Sequence, residues 1–135
     1  MELIKLTQEY LTGIETIDYE HQKLVNYMNE IMKANEMGVH GRLLIEINID
    51  ELISYTVFHF RTEEELMQEH NDPNYLVHKD VHDKLKTEVG NFKKRFNNGE
   101  DIGTELIDFL KEWLFSHIQG VDRSYIELFQ SKGVV

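Results

Sequence analysis

Five of the seven histidines in this chain, together with two acids, fall at spacings that a helical bundle could close around a pair of metal ions. They are His21 alone, His59 with Glu63, His78 with His82, and His117 with Asp122. Two of the pairs are four residues apart, which sets both side chains on one helical face about one turn from each other. Imidazole and carboxylate together suit iron, zinc, copper or manganese. No single pair is diagnostic. The distribution is what matters, because four groups in four successive segments are hard to produce by chance.

The elements that must hold these residues can be read from breakers and periodicity. An irregular arm is expected over residues 1–17, with Asp18 as the N-cap of a first helix over about 18–37. The Gly38-Val39-His40-Gly41 segment breaks it. A second helix follows over about 42–68 and ends at the polar stretch from His70 to Asn74. A third covers about 75–96, stopped by Asn97-Asn98-Gly99, and a fourth about 104–119, with Gly120 as its stop. A short last helix is expected over about 122–130. The single proline, Pro73, lies between helices, so none is interrupted from within.

The apolar residues recur in alternating steps of three and four, the core stripe of an antiparallel bundle. The second helix gives Ile45, Ile49, Leu52, Thr56, His59, Glu63 and Leu66. The third gives His78, His82, Leu85, Val89, Phe92 and Phe96. The fourth gives Leu106, Leu110, Trp113 and His117, and the first His21, Val25 (or Leu24), Met28 and Ile31. The polar candidates share these stripes and therefore point inward. They sit early in the first helix, late in the second, early in the third and late in the fourth. In an up-down-up-down antiparallel four-helix bundle, those places coincide at one level. An all-α fold with an N-terminal arm, a short C-terminal helix and a site at one end is the expectation, as one domain over residues 1–135.

A hydrogen-bonded histidine–carboxylate network is the alternative to a metal site, but it would be a large buried polar cluster with no structural purpose. Asp122 is a ligand only if the chain turns after Gly120, since five residues do not keep two side chains on one face. The other reading makes it the cap of the last helix. His40 and His70 read as surface residues, and Glu64 and Glu65 as a solvated helix face. Trp113, Phe60 and Tyr55 read most simply as core aromatics.

Composition sets the outer limits. At 135 residues, one domain could bury about two-thirds of the surface its unfolded chain exposes. The absence of cysteine excludes disulfides, iron–sulfur clusters, thiolate zinc sites and cysteine nucleophiles. A net charge of −11 argues against nucleic acid and anionic membrane surfaces as partners. No segment resembles a signal peptide or membrane span, so a cytoplasmic protein is expected.

At this point the residues match a family. His59-Phe60-x-x-Glu63-Glu64 with Leu66-Met67, then His78-x-x-x-His82, then Trp113-Leu114-x-x-His117-Ile118-x-x-x-Asp122 strongly resembles hemerythrin, in its single-domain bacterial form, bacteriohemerythrin. So does the opening Gly13-Ile14-x-x-Ile17-Asp18-x-x-His21-x-x-Leu24. The resemblance runs from about Gly13 to Tyr125 and fills all seven ligand positions. It departs in the arm, where Leu6 and Tyr10 stand in a region that often carries tryptophan.

The resemblance implies a non-haem di-iron centre, two iron ions (Fe2+/Fe3+) with a bridging oxo or hydroxo group, and dioxygen as its ligand. Glu63 and Asp122 would bridge, His78, His82 and His117 would complete one iron, and His21 and His59 would hold the other with one position open. By position, Leu24, Phe60, Trp113, Leu114 and Ile118 would wall the oxygen pocket. Two carboxylates against five neutral imidazoles would leave a ferrous pair net positive, and no further acid or base is expected in the pocket. The implied function is reversible dioxygen binding for transport, storage or sensing, and not an enzyme. The alternatives are a di-iron peroxidase, oxidase or nitric-oxide-handling protein, or an iron reservoir. A ferritin-like oxidase would use Glu-x-x-His pairs, and no Glu lies three residues before any of the histidines. No protein partner is implied.

Overall fold

The computed structural model describes residues 3–134, apart from the side chains of Val121, Asp122 and Ser124. Four long helices dominate: α1 (Glu15–Glu36), α2 (Arg42–Glu69), α3 (Tyr75–Asn97) and α4 (Gly103–His117), followed by a shorter α5 (Arg123–Ser131). Among the described residues there is no strand. The loops are short, so sequential helices run antiparallel. Side chains mark the end of the bundle away from the histidines. There the end of α1 meets the start of α4 through Asn35 and Thr104, whose side chains hydrogen bond at 3.0 Å. The start of α2 meets the end of α3, where Arg42 donates to the Phe96 carbonyl and lies over the Phe96 ring. The expected all-α antiparallel bundle, with arm and short C-terminal helix, is the observed fold.

The expected stripes are the buried ones. His21, Leu24, Val25, Met28 and Ile31 of α1 pack inward, as do Ile45, Ile49, Leu52, Thr56, His59 and Glu63 of α2. So do His78, His82, Leu85, Val89, Phe92 and Phe96 of α3. Each fully buried large apolar side chain contributes about 1.5–3 kcal/mol relative to exposure. Two positions differ from expectation. At the end of α2 it is Met67, not Leu66, that is fully buried, and Trp113 is only half-buried while Leu114 takes the interior. Both shifts have one cause: a helix between two neighbours buries a band wider than one seam.

The arm and the last helix close the bundle over the histidines. Ile14, Ile17, Met67, Tyr125 and Phe129 form a second apolar cluster, apart from the main core that contains Leu24, Phe60, Leu114 and Ile118. The histidine level is therefore covered on both sides. Asp18 is not the N-cap expected of it. The helix begins at Glu15, and the Asp18 carboxylate instead accepts the backbone N–H groups of Thr12 (2.7 Å) and Gly13 (3.1 Å) and the Thr12 hydroxyl (2.8 Å). Gly13 sits at φ +81°, which glycine adopts without strain. Tyr10 packs the arm against α4, its ring 4.5 Å from that of Phe115.

Gly120 does not stop α4. The chain passes from α4 into a single π turn, Ile118–Asp122, and straight on into α5. A π turn holds one more residue than an α turn, so positions 117 and 122 fall about one turn apart along a continuous helix. That is the backbone condition a His-x-x-x-x-Asp pair needs. The Asp122 side chain, and with it the choice between ligand and cap, lies outside the described residues.

Candidate metal centre

Six of the seven expected ligands have described side chains, and the fold brings all six together. Glu63, His78, His82 and His117 form one group, and His21, His59 and Glu63 a second. Within each group one ligand atom per residue lies within 4.8 Å of the others. Glu63 belongs to both. All six side chains are buried.

Glu63 achieves this by standing one turn after His59 on α2 and facing α3. Its Oε1 lies 2.6 Å from His59 Nε2, and its Oε2 lies 3.5 Å from His78 Nε2. His82 Nε2 is 3.8 Å from Glu63 Oε1 and 3.2 Å from His117 Nε2. His21 completes the second group, its ring edge-on to that of His59 at 4.7 Å. The donor set is five imidazoles and a shared carboxylate, buried and convergent, which is the chemistry a borderline divalent cation such as iron selects. Two ring nitrogens at 3.2 Å can share one proton, or both can offer lone pairs to a cation. The residues present fit a two-metal site.

Aromatic rings back the three-histidine group. Phe60 stacks on His82 at 3.7 Å, Trp113 on His117 at 4.5 Å, and Tyr125 on His78 at 5.6 Å. Phe60 and Trp113 thus stand against this side of the cluster, while Leu24, Leu114 and Ile118 belong to the buried core that adjoins it. His40 is exposed as expected. His70 is partly covered, its ring 5.7 Å from that of Phe129.

Two acids correct the expectation that the site holds none beyond the ligands. Glu20 is buried, with Oε1 2.7 Å from His59 Nδ1. Glu64, expected on a solvated face, has Oε2 2.9 Å from His82 Nδ1 and its side chain largely covered. Burial pushes the Glu64 carboxyl above its ordinary value, against the pull of Lys86 and Lys79. The sequence carries a signal for both. Glu20 continues the α1 stripe Ile17, Leu24, Met28, and Glu64 lies between the buried Phe60 and Met67. Glu65 is exposed.

A helical bundle with a histidine–carboxylate cluster at one level defines a class of helical metal-binding proteins. The hemerythrin HHE cation binding domain matches residues 12–129, and the chain belongs to the hemerythrin family. A bacteriohemerythrin of Stenotrophomonas maltophilia is 36% identical over 127 residues, covering 94% of this chain and 82% of that protein. One of Clostridium acetobutylicum is 35% identical over 124 residues, covering 88% and 95%. A crystal structure of wild-type hemerythrin superposes with a TM-score of 0.87 at 29% identity, covering 94% of this chain and 98% of that one. Among the described residues no helix is long and apolar enough to cross a membrane.

Proposed function

We propose that this chain binds dioxygen reversibly at a carboxylate-bridged, non-haem di-iron centre. The single observation that supports it most is the sharing of Glu63 by two ligand groups of unequal size. His78, His82 and His117 would hold one ion, His21 and His59 the other, with Glu63 and Asp122 common to both. Three histidines against two leave the second position the poorer in ligands and hence the place for an exogenous one. When bound, a ferrous pair supplies the two electrons that dioxygen takes up and returns.

The chain's own contribution is to position donors and to exclude water. Leu24, Leu114 and Ile118 are almost wholly buried and would form dry walls, which hinder the entry of protons and so favour release of the bound gas unchanged. Phe60 and Trp113 would close the three-histidine side. A binding function is favoured over an enzyme because both further acids, Glu20 and Glu64, are engaged with ligand rings rather than presented to a substrate. We place the protein in the cytoplasm, without nucleic-acid or membrane partners. Elemental analysis after reconstitution with ample iron tests the centre. Two irons per chain are expected, and a ratio near one, or zinc in preference, would contradict it.

A further inference from the structure

Two carboxylates outside the ligand set stand behind two of its histidines, one on each side of Glu63. Glu20 Oε1 lies 2.7 Å from His59 Nδ1, and Thr62 Oγ1 donates to Glu20 Oε2 at 3.0 Å. A buried acid on α1 is thus held at both oxygens by α2. The other edge of the His59 ring turns inward, with Nε2 2.6 Å from Glu63 Oε1. The same device recurs between α2 and α3. Glu64 Oε2 lies 2.9 Å from His82 Nδ1, while His82 Nε2 faces His117 Nε2 at 3.2 Å.

An imidazole that donates its Nδ1–H outward keeps its Nε2 lone pair for the centre, in a fixed ring orientation and with a raised basicity. We propose that Glu20 and Glu64 are positioning residues, which lock His59 and His82 in the Nδ1–H tautomer and so give each half of the centre one braced ligand. This rests on the metal-centre reading above. The two braces differ in cover: the Glu20 side chain is 4% exposed, whereas that of Glu64 is 16% exposed, on the lining of a surface depression of about 290 Å3 shared with Phe60, Arg61, Tyr75 and Lys86. A brace open to water is the more easily replaced by it. Loss of Glu20 therefore has the larger effect.

The test compares the parent with Glu20→Ala, Glu20→Gln, Glu64→Ala and Glu64→Gln in two measurements. Nitrogen-15 NMR of the histidine rings in the iron-free protein reads directly which ring nitrogens carry protons. Anaerobic titration with ferrous iron reads number and affinity. The iron-free parent should show both His59 and His82 protonated at Nδ1, the nitrogen that free neutral histidine leaves bare. The Glu20 variants should release His59 alone and the Glu64 variants His82 alone, a site-selective change that general loosening would not give. Ferrous affinity should fall about 10–100-fold in Glu20→Ala and less in Glu64→Ala. The glutamine variants, which keep the shape and one acceptor oxygen, should lose less and guard against loss of folding in the alanine forms. Unchanged Nδ1 protonation with parental ferrous affinity in all four variants would overturn the proposal. A parent that binds no ferrous iron would overturn both it and the metal-centre reading. A parent that binds iron but not dioxygen, with the ring and affinity changes present, would leave the positioning role standing and remove only the oxygen function.

Discussion

Glu63 Oε1 lies 2.6 Å from His59 Nε2, and the other oxygen of the same carboxylate is turned toward α3, 3.5 Å from His78 Nε2. One side chain thus addresses both halves of the cluster. Glu63→Ala should reduce bound iron from two per chain to one or none, because it removes the donor common to both groups. The melting temperature of the iron-loaded protein should fall accordingly, since a ligand bound only by the folded state stabilises it. Metal analysis and thermal unfolding check both. Full iron content in Glu63→Ala would remove Glu63 from the bridging role.

Leu114→Ala should leave the iron content intact, as it removes no ligand. Leu114 is 2% exposed, so truncation should cost about 2–5 kcal/mol through lost burial and a cavity. The enlarged pocket should admit water and protons, so the oxygen-bound form should decay faster to the oxidised form than in the parent. Stopped-flow spectroscopy of anaerobically reduced protein mixed with oxygen measures this. An unchanged decay would remove Leu114 from the pocket wall.

Asp18 ties the arm to α1 through three accepted hydrogen bonds from Thr12 and Gly13. Asp18→Ala should destabilise by about 1.5–3 kcal/mol, the range for hydrogen bonds to a charged group. The change should appear in hydrogen exchange as lost protection of the Thr12 and Gly13 amides. Protection retained at both would show that the arm is held elsewhere.

Much of this architecture could be read from residue order. The three-four steps of Leu85, Val89, Phe92 and Phe96 leave α3 little choice of inward face. Because His78 and His82 extend that stripe, they were bound to face inward too. Asp18 misled for a physical reason. An aspartate before an apolar run satisfies either the helix's own amides or those of the preceding arm, and only the three-dimensional path of the arm decides. Glu20 and Glu64 were hidden because each adjoins a residue already assigned, and one seam per helix is too narrow for a bundle in which α2 touches both α1 and α3. The π turn after His117 left only an indirect trace, a five-residue spacing that an α-helix cannot serve.

Glycines offer a test of the packing that frames the site. A Cβ on Gly41 would come within 1.9 Å of the Ala34 carbonyl oxygen, whereas one on Gly90 meets nothing within 4 Å. Gly41→Ala should therefore force the α1–α2 connection apart, at a cost of about 1–3 kcal/mol or more. Gly90→Ala, inside α3, should instead stabilise by about 0.5–1 kcal/mol through lower unfolded-chain entropy. Denaturant unfolding of the two variants should give shifts of opposite sign, and a shared sign would contradict the close approach at Gly41.

The most direct test of the central claim is an absorption spectrum of the iron-loaded, reduced protein, taken under argon, after admission of oxygen, and again after its removal. Reversible dioxygen binding predicts a visible band that appears with oxygen and vanishes when oxygen is withdrawn, with the original spectrum restored over several cycles. A protein that oxidises irreversibly on first exposure, or that turns over peroxide with no reversible oxygen-dependent band, would contradict it.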